Sequence, residues 1–430
     1  MKIAFVHQPI DAAILPVESG SIAIWTDEVA RRLAHSCEVI VYARKSPSQQ
    51  KVEWDEGVQY RRVSVSTDRI LRGLLKLFSR VDNVKRPSFA SIWYHLGYAL
   101  KVAKDLRVEK CDIVHIHQFS QFVPIIRAFN PKIKIVLHMH GEWLTQLNHK
   151  MIEKRIRKAN LVLGCSEYIT EEIRRSFPQF AKSCKTIING VDVHHFVSKE
   201  DLTEPKLKNT KKLLFVGRVS PEKGVHILLD AFKNVLGHHP DAQLKIVGPQ
   251  VSAPLEFILP FNKDSKFNDL ASLYSGSYSS RLRDQLPSNV ASQVSFIGNV
   301  PHSQVINYFQ DADVFIFPSV WDEPFGIPIV EAMATGVPVV ATRVGGITEI
   351  VEDGKTGLFV ERGEVSALAD AILSLLSDKD RRKSMGKAGR QRAIELFSWE
   401  RIVENLLSQY KNTCESYKEV TLESPVITRS

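Results

Sequence analysis

The sequence predicts an α/β protein made of two successive doubly wound domains. Its 430 residues exceed what one ordinary core accommodates. Short apolar strands alternate with helix-length amphipathic segments, which is typical of parallel sheets covered on both faces. The alternation stops at a polar, lysine-rich stretch, residues 194–212, and then restarts. We therefore predict an N-terminal domain over residues 1–192, a C-terminal domain over 193–400, and a final helix with a polar tail over 401–430, which we expect to return toward the N-terminal domain.

The first domain opens with the strand KIAFVHQ and the helix SIAIWTDEVARRLAHS. Further strands are predicted at CEVIVYAR, CDIVHIHQ, KIKIVLHMH, LVLGCS and CKTIINGVDV. Ser166 directly precedes the helical segment EYITEEIRRSF, and serine is a preferred helix N-cap. Helices thus separate most of the strands, as a doubly wound sheet requires.

The second domain repeats this alternation from LLFVGRV to GLFV, followed by helix to about residue 410. Its strands QLKIVGP and QVSFIGNV are separated by some 40 residues rich in Ser, Asn, Asp and Pro, which we name the insert (residues 250–292). A loop of this length inside a compact domain is usually functional or disordered. We therefore expect a functional or disordered loop there.

The composition is that of a globular protein, with 44% hydrophobic and 24% charged residues. No run of about 18 apolar residues predicts a transmembrane helix, and the N-terminus lacks the pattern of a signal peptide. The five cysteines are scattered without CxxC spacing, which argues against a disulfide framework and a zinc site. These features predict a cytoplasmic protein.

Positive charge is concentrated in the first 200 residues, which hold 31 Lys and Arg against 20 Asp and Glu. Such a basic half suits an anionic membrane surface or an anionic substrate. No nucleic-acid-binding motif is present, so we expect no nucleic-acid partner. Residues 69–80, RILRGLLKLFSR, combine apolar residues at helical spacing with flanking basic ones. That pattern is typical of a helix at a bilayer interface, and equally of a surface helix packed on a core.

The most informative segment is SVWDEPFGIPIVEAMATGVPVVAT, residues 319–342. Pro328 is favourable in the first turn of a helix, where the missing N–H costs nothing. A helix beginning here would present free backbone N–H groups and a positive dipole end to an anion; the groups concerned are those of Phe325, Gly326 and Ile327. The carboxylates of Glu323 and Glu331 would repel a phosphate, so we expect them to accept hydrogen bonds from vicinal hydroxyls of a sugar or ribose.

A second segment, FVGRVSPEKGV, places Arg218 and Lys223 between a strand end and a helix start. Cations at the carboxyl end of a strand, next to a helix N-terminus, predict a site for a diphosphate. Alone, the pattern also suits an ordinary turn with solvated charges. Together with the acidic segment, it favours a ligand that carries both phosphates and hydroxyls.

These two segments, GRVSPEKG and EPFGIPIVEAMATGVPVVAT, resemble glycosyltransferase family 4, retaining enzymes of the GT-B fold. The resemblance implies two Rossmann-like domains facing across a cleft and a nucleotide-diphosphate-sugar donor. It implies that Arg218 and Lys223 hold the diphosphate, that Glu331 holds the ribose, and that Glu323 holds the transferred sugar and is a catalytic residue. The backbone at Phe325, Gly326 and Ile327 would contact sugar and phosphate, and the backbone near Val300 would contact the base.

In the first domain the family has a glycine-rich loop, often Gly-Gly, after the first strand. Here Gly20 is followed by Ser21, so Gly20 is the expected phosphate-approach residue. The loop is not GxGxxG, which argues against a dinucleotide-binding enzyme. The family often ends a central strand with His followed by Gly or Asp, which His140-Gly141 matches better than His138. We expect His140 to act in catalysis by donating a hydrogen bond to a sugar hydroxyl, with His117 as the next candidate.

No metal or other cofactor is expected, and the nucleotide sugar is a co-substrate. His115 and His117, like His138 and His140, have no partners at recognised metal spacing, and no DxD lies near a strand end.

The resemblance therefore implies sugar transfer with retention, through a front-face displacement assisted by the leaving diphosphate. We expect a lipid-linked or cell-envelope glycan acceptor, or alternatively a small soluble acceptor such as a sugar phosphate. A GT-B epimerase or phosphorylase and a non-catalytic nucleotide-sugar binder are the rivals. The sequence has no pyridoxal phosphate motif that would support a phosphorylase. A non-catalytic binder would be marked by the loss of a key charged residue, and all four are present: Arg218, Lys223, Glu323 and Glu331.

Overall fold

The computed structural model describes residues 1–10, 12–69, 87–198, 210–252 and 266–422. The chain forms two compact units. The first consists of Met1–Ile188 and the chain from Glu400 onward, and the second of Asn189–Trp399. The chain therefore leaves the first unit once and returns to it through its last helix.

The first unit contains an eight-stranded sheet in the order β3-β4-β2-β1-β5-β6-β7-β8. All neighbouring strands are parallel except β3 and β4. The strands are β1 (Lys2–Val6), β2 (Glu38–Arg44), β3 (Val52–Asp55), β4 (Val58–Val63), β5 (Ile113–His117), β6 (Lys134–Met139), β7 (Leu161–Gly164) and β8 (Cys184–Thr186). Strands β5, β6 and β7 are buried at every position, as expected of parallel strands covered on both faces.

Helices of the first unit connect these strands. They are α1 (Ser21–Ala34), α2 (Leu96–Glu109), α3 (Phe122–Phe129), α4 (Trp143–Gln146), α5 (His149–Ile156) and α6 (Glu167–Ser176). The last helix, α16 (Trp399–Leu422), follows all the strands and belongs to the first unit from Glu400 onward. The predicted N-cap Ser166 is confirmed, since its side chain accepts a hydrogen bond from the N–H of Ile169 at 3.2 Å.

The second unit contains a parallel six-stranded sheet in the order β11-β10-β9-β12-β13-β14. Its strands are β9 (Lys212–Val216), β10 (Gln243–Val247), β11 (Val294–Gly298), β12 (Val314–Phe317), β13 (Val339–Thr342) and β14 (Gly357–Val360). Its helices are α7 (Val225–His238), α8 (Lys266–Leu273), α9 (Tyr278–Asp284), α10 (Ser288–Ala291), α11 (His302–Asp311), α12 (Ile327–Ala334), α13 (Ile347–Ile350), α14 (Val365–Ser377) and α15 (Lys379–Phe397).

Both sheets have the strand reversal of a doubly wound fold, which confirms the predicted fold class. In the second unit the order reverses between β9 and β12, and in the first between β1 and β5. Ligands of such sheets bind beyond the carboxyl ends of the strands at this reversal. The segments that follow β9 and β12 carry the predicted charged residues Arg218, Lys223 and Glu323. Because β9 and β12 are neighbours, the topology places these two segments side by side at the strand reversal.

Two segments of the sequence differ from their predictions or lie outside the described residues. The described part of the insert forms the helices α8, α9 and α10, so a loop was the wrong expectation for that part. Ser277 caps α9 by accepting a hydrogen bond from the N–H of Ser280, so this polar stretch contains a local helix-start signal. The amphipathic pattern of residues 69–80 lies outside the described residues beyond Arg69. Within the described ranges, every helix is too short or too polar to cross a bilayer.

Candidate functional site

The turn after β9, residues 217–224, carries Arg218 and Lys223 and is named here the cationic turn. It contains the 3-10 segment Pro221–Lys223 and ends at Gly224, which begins α7 in a left-handed conformation with φ of 69°. A Cβ atom on Gly224 would lie 1.9 Å from the carbonyl oxygen of Pro318. Only glycine permits this approach. The cationic turn therefore packs backbone to backbone against the segment after β12, residues 318–326, named here the acidic loop.

Lys223 and Glu323 meet across this contact. Lys223 Nζ lies 2.6 Å and 2.8 Å from the two carboxylate oxygens of Glu323, and Ser319 Oγ donates to Glu323 Oε1 at 2.6 Å. Both side chains are largely buried, with 15% and 6% exposed. The predicted phosphate-binding cation and the predicted sugar-binding carboxylate thus form one ion pair, which orients both.

Arg218 is held by a neighbouring carboxylate, Glu222. Glu222 Oε1 accepts from Arg218 Nη2 at 2.9 Å and from Ser220 Oγ at 2.5 Å, and Oε2 accepts from Tyr274 Oη at 2.6 Å. Burial alone would raise the pKa of Glu222, but the charges of Lys223 and Arg218 and these hydrogen bonds lower it below its usual range. Arg218 keeps 39% of its side chain exposed, and its Nη1 atom has no hydrogen-bond partner among the described residues.

Glu331 lies in α12 with only 4% of its surface exposed. Its Oε1 is 2.7 Å from Nε2 of His302, the first residue of α11. Val300 precedes α11 by two residues and is half-buried. The His302 contact therefore joins the segment predicted to contact the base to the residue predicted to hold the ribose.

The start of α12 has the form that the sequence predicts. Ile327 is the first helical residue, Pro328 lies in the first turn, and Gly326 is the cap, with φ of 133° and no capping hydrogen bond from its own position. Phe325 is buried and packs edge-on against Phe397, with ring centroids 6.0 Å apart. Backbone donors at this point therefore remain available to an anion.

In the first unit, Gly20 is the residue before α1 and has φ of 84°, a conformation that favours glycine. The same helix carries Trp25 and Thr26. Trp25 packs edge-on against the rings of His138 and His140, with centroids 4.9 Å and 6.1 Å away. Helix α1 therefore links the loop at Gly20 to the strand end at His140.

Hydrogen bonds to Thr26 and His117 assign the tautomer of His140. The Thr26 hydroxyl donates to the Ile22 carbonyl at 2.7 Å, so its oxygen accepts from His117 Nε2–H at 3.1 Å. His117 Nδ1 then carries a lone pair and accepts from His140 Nε2–H at 3.0 Å. Burial, and to a lesser degree the charge of His7, lowers the pKa of His140 to about 3, so its ring is neutral at pH 7. The other nitrogen, Nδ1, is left as an acceptor, which revises the expectation that His140 donates to a sugar hydroxyl.

A second pair of imidazoles lies beneath this one. His115 and His138 are fully buried and lie 3.2 Å apart through Nε2 and Nδ1, and the Tyr410 hydroxyl of α16 is 2.6 Å from His115 Nδ1. Burial lowers the pKa of both rings well below the usual range. The last helix therefore contributes a side chain to the hydrogen-bond network of the first unit.

The sequence missed the closeness of these rings. His115, His117 and His138 have ring nitrogens within 4.8 Å of one another, which is close enough for a shared metal ion. Every one of the three rings makes a hydrogen bond within the cluster or to Thr26 or Tyr410. Hydrogen bonds therefore hold these rings in place, and the expectation that the protein uses no metal stays a prediction.

The neutral histidines predict acid-sensitive stability. A buried imidazole with a lowered pKa takes up its proton only on unfolding, so stability is complete above the ordinary pKa of 6.5 and is lost as the pH falls below it. Each ring contributes up to about 1.4 kcal/mol per pH unit. We expect urea unfolding to give a much lower free energy of unfolding at pH 5.5 than at pH 7.5. The difference between the two pH values should be smaller in His138→Leu. Exposed His35 provides the control, since His35→Asn should leave the loss unchanged.

Four residues near the predicted site were not identified from the sequence: Glu222, Tyr274, His302 and Ser319. Glu222 and Ser319 lie inside the recognised segments, where a buried glutamate between two cations was a usable signal. Tyr274 and His302 come from distant parts of the chain, and only the fold brings them to the site. The hydrogen bonds given above join Lys223 to Glu323 and hold Arg218 on Glu222 in the same cationic turn. They also join Glu331 to His302, next to the segment of Val300.

Comparison with known proteins yields matches over most of the chain. The model of the family described as "Glycosyl transferases group 1" matches residues 197–392, and that of "Glycosyltransferase Family 4" matches residues 22–195. Spore coat protein SA of Bacillus subtilis is 29% identical over 96% of this chain and 99% of its own length. A GDP-mannose-dependent monoacylated alpha-(1-6)-phosphatidylinositol monomannoside mannosyltransferase of Corynebacterium glutamicum is 31% identical, over 64% of this chain and 68% of its own.

Among solved structures, the Anabaena protein Alr3699/HepE in complex with UDP and glucose is similar, with a TM-score of 0.66. The match covers 96% of this chain and 99% of that protein at 20% sequence identity. The likeness extends over both parallel-sheet units and confirms the GT-B fold.

Proposed function

The chain belongs to the family 4, or group 1, glycosyltransferases, and on that premise we propose that it is a retaining enzyme acting on a lipid-linked or cell-envelope glycan acceptor. Its activity as a glycosyltransferase that uses a nucleotide-sugar donor follows from family membership. The retention of configuration, the acceptor and the roles of individual residues are the proposal. The observation that carries the residue roles is the Lys223–Glu323 pair at the strand reversal of the second unit.

We propose that the donor diphosphate binds to Arg218, Lys223 and the N-terminus of α12. Arg218 keeps 39% of its side chain exposed, and its planar guanidinium offers donors in a geometry that suits phosphate oxygens. The uncapped N–H groups at Gly326 and Ile327 add the positive end of the helix dipole. As the bond between the sugar and the diphosphate breaks, negative charge grows on the diphosphate. Groups already fixed in place would stabilise that charge without reorganisation.

The carboxylates would bind hydroxyls on either side of this anion site. Glu331 is proposed to bind the ribose and Glu323 the transferred sugar, since each is buried and already held by a partner. His140 would accept a hydrogen bond from a sugar hydroxyl through Nδ1, and Gly20 would allow close approach of a phosphate. In the proposed front-face reaction, the acceptor oxygen forms its bond to the anomeric carbon as the diphosphate departs on the same face, and the acceptor proton passes to the diphosphate.

The proposal of a lipid-linked acceptor is based on the distribution of charge along the chain. The basic excess lies in residues 1–200, and an anionic surface attracts such a region by about 1 kcal/mol per basic residue close to it. The corynebacterial relative is named for a phosphatidylinositol mannoside substrate, which is consistent with this choice. A small soluble acceptor remains the alternative.

A thermal-shift panel tests the donor proposal. A ligand that binds only the native state raises the melting temperature by mass action, so one of UDP, GDP, ADP and dTDP should stabilise the protein at concentrations well above its Kd. Loss of the shift in Arg218→Ala, with the fold intact, would support the assigned site. A wild-type protein that responds to none of the four diphosphates or their sugars would overturn the proposal.

The two glutamates should affect different ligands. Glu331→Ala should weaken binding of the bare nucleoside diphosphate, because it removes the ribose contact, whereas Glu323→Ala should weaken mainly the sugar-bearing donor. Each loss should reach about 1.5–3 kcal/mol, the range for a hydrogen bond to a charged group. Calorimetry with both ligands measures this. His302→Asn should weaken binding of the diphosphate in the same way as Glu331→Ala, but to a smaller extent. Equal losses of affinity for both ligands in both glutamate variants would contradict the assignment of Glu331 to the ribose and Glu323 to the sugar.

Membrane attachment distinguishes the two acceptor classes. The protein should sediment with vesicles that contain anionic lipid at low salt and be released at high salt. Reversing the charges of Arg69, Arg72 and Lys76 together should abolish binding, while reversing Lys379, Arg381 and Lys383 on the second unit should not. Absence of sedimentation at low salt would favour the small soluble acceptor.

A further inference from the structure

The insert packs against the groups proposed to bind the donor. Tyr274 directly follows α8 and donates its hydroxyl to Glu222 Oε2 at 2.6 Å. Glu222 in turn binds Arg218 through its other carboxylate oxygen at 2.9 Å. The chain of contacts from the insert to the arginine is therefore two hydrogen bonds long, and its central carboxylate is fully buried.

Two further contacts fix the insert to the same region. The Tyr278 hydroxyl of α9 accepts from the backbone N–H of His226 at 3.1 Å, in the first turn of α7 directly after the cationic turn. Leu270 of α8 packs with Val320 of the acidic loop, with half-buried Trp321 beside them. The insert thus contacts both segments that carry the proposed site.

A buried carboxylate held by several donors has little freedom to turn. Each donor that is lost leaves an oxygen without a partner away from water, which is costly, and the carboxylate would then turn to recover one. Arg218 and Ser220 bind one oxygen of Glu222 and Tyr274 binds the other, so the tyrosine hydroxyl is the donor that holds the second oxygen and restrains the plane of the carboxylate that Arg218 contacts. The charge of Glu222 also raises the pKa of Tyr274, second to burial, so the phenol stays a donor at neutral pH.

We propose that Tyr274 is a positioning residue that acts through Glu222 to aim Arg218 at the donor diphosphate. This inference rests on the proposed function and assigns to the insert a role in binding the diphosphate. It also explains why a polar insert, expected to be a loop, is folded against the cationic turn.

The test compares nucleoside diphosphates with monophosphates. In Tyr274→Phe the affinity for the diphosphate that the wild-type protein prefers among UDP, GDP, ADP and dTDP should fall about three- to tenfold, as for one lost hydrogen bond. Affinity for the matching monophosphate, which lacks the phosphate farther from the ribose, should change less. Combined with Arg218→Ala, Tyr274→Phe should cause no further loss, because the coupling passes through the arginine.

Two control variants separate positioning from stability. Tyr308→Phe removes a hydroxyl for which the described residues offer no hydrogen-bond partner, and it should leave all affinities unchanged. Tyr278→Phe weakens the packing of the insert, so it should lower the melting temperature without changing the ratio of diphosphate to monophosphate affinity. An unchanged ratio in Tyr274→Phe, or additive losses in the double variant, would overturn the inference while leaving the proposed function intact. A wild-type protein that binds no nucleoside diphosphate would instead overturn the proposed function.

Discussion

Replacing Lys223 with methionine is expected to reduce sugar transfer by at least about 100-fold and to lower the free energy of unfolding by about 3–5 kcal/mol. Two separate effects produce this result. The diphosphate loses a cation at the point where its charge grows, and Glu323 keeps a buried carboxylate without its partner, since the ion pair has only 15% and 6% of its side chains exposed. Turnover and urea unfolding, measured on the same preparation, check both.

The double variant Lys223→Met/Glu323→Gln separates these effects. It removes both charges, so most of the lost stability should return, because a buried ion pair replaced by neutral groups of similar size is often close to neutral. Turnover should not return. Lys233→Met is the matched control, because Lys233 pairs with Asp230 on an exposed face of α7 and should change neither property. Recovered turnover in the double variant would contradict the role of Lys223 in binding the diphosphate.

The sequence was sufficient for the fold class because buried parallel strands have a continuous apolar pattern. The strand VFIF of β12 and the strand IVHIH of β5 are buried at every position, and both were predicted. The helix start at Ile327 was also predicted, because proline in the first turn favours a helix start whatever the distant contacts are. Local patterns of this kind position the backbone of the site.

The partners of the site residues could not be predicted in the same way. Glu222 and Tyr274 are separated by 52 residues, and Tyr410 reaches His115 across 295. Such contacts depend on the order of the strands and on how the helices pack. The spacing of residues in a single sequence determines neither of these. The tautomer of His140 is a further case, because it depends on where the hydroxyl of Thr26 directs its proton.

His140→Ala is expected to lower turnover by about 100- to 1000-fold while nucleoside diphosphate affinity stays near that of the wild-type protein. The side chains proposed to bind the diphosphate, Arg218 and Lys223, lie on the second unit, whereas His140 directly follows strand β6 of the first unit and is proposed to bind a sugar hydroxyl. The effect of its loss should therefore be confined to the transferred sugar or the acceptor. The assigned tautomer sharpens this prediction. The side-chain oxygen of asparagine reaches about as far as Nδ1 and can accept a hydrogen bond there, so His140→Asn should retain more activity than His140→Gln.

His138→Ala is the comparison, because His138 is fully buried, lies in β6 two residues before His140, and shares a hydrogen bond with His115. Its loss should act through stability, at about 2–5 kcal/mol for a large buried side chain, with turnover per folded molecule largely kept. Melting temperature, turnover and diphosphate affinity measured for each variant distinguish the two histidines. Full activity of His140→Ala would move the catalytic role to His117. Equal activity of the asparagine and glutamine variants would contradict the acceptor role of Nδ1, because the amide oxygen of asparagine lies near the position of Nδ1 and that of glutamine does not.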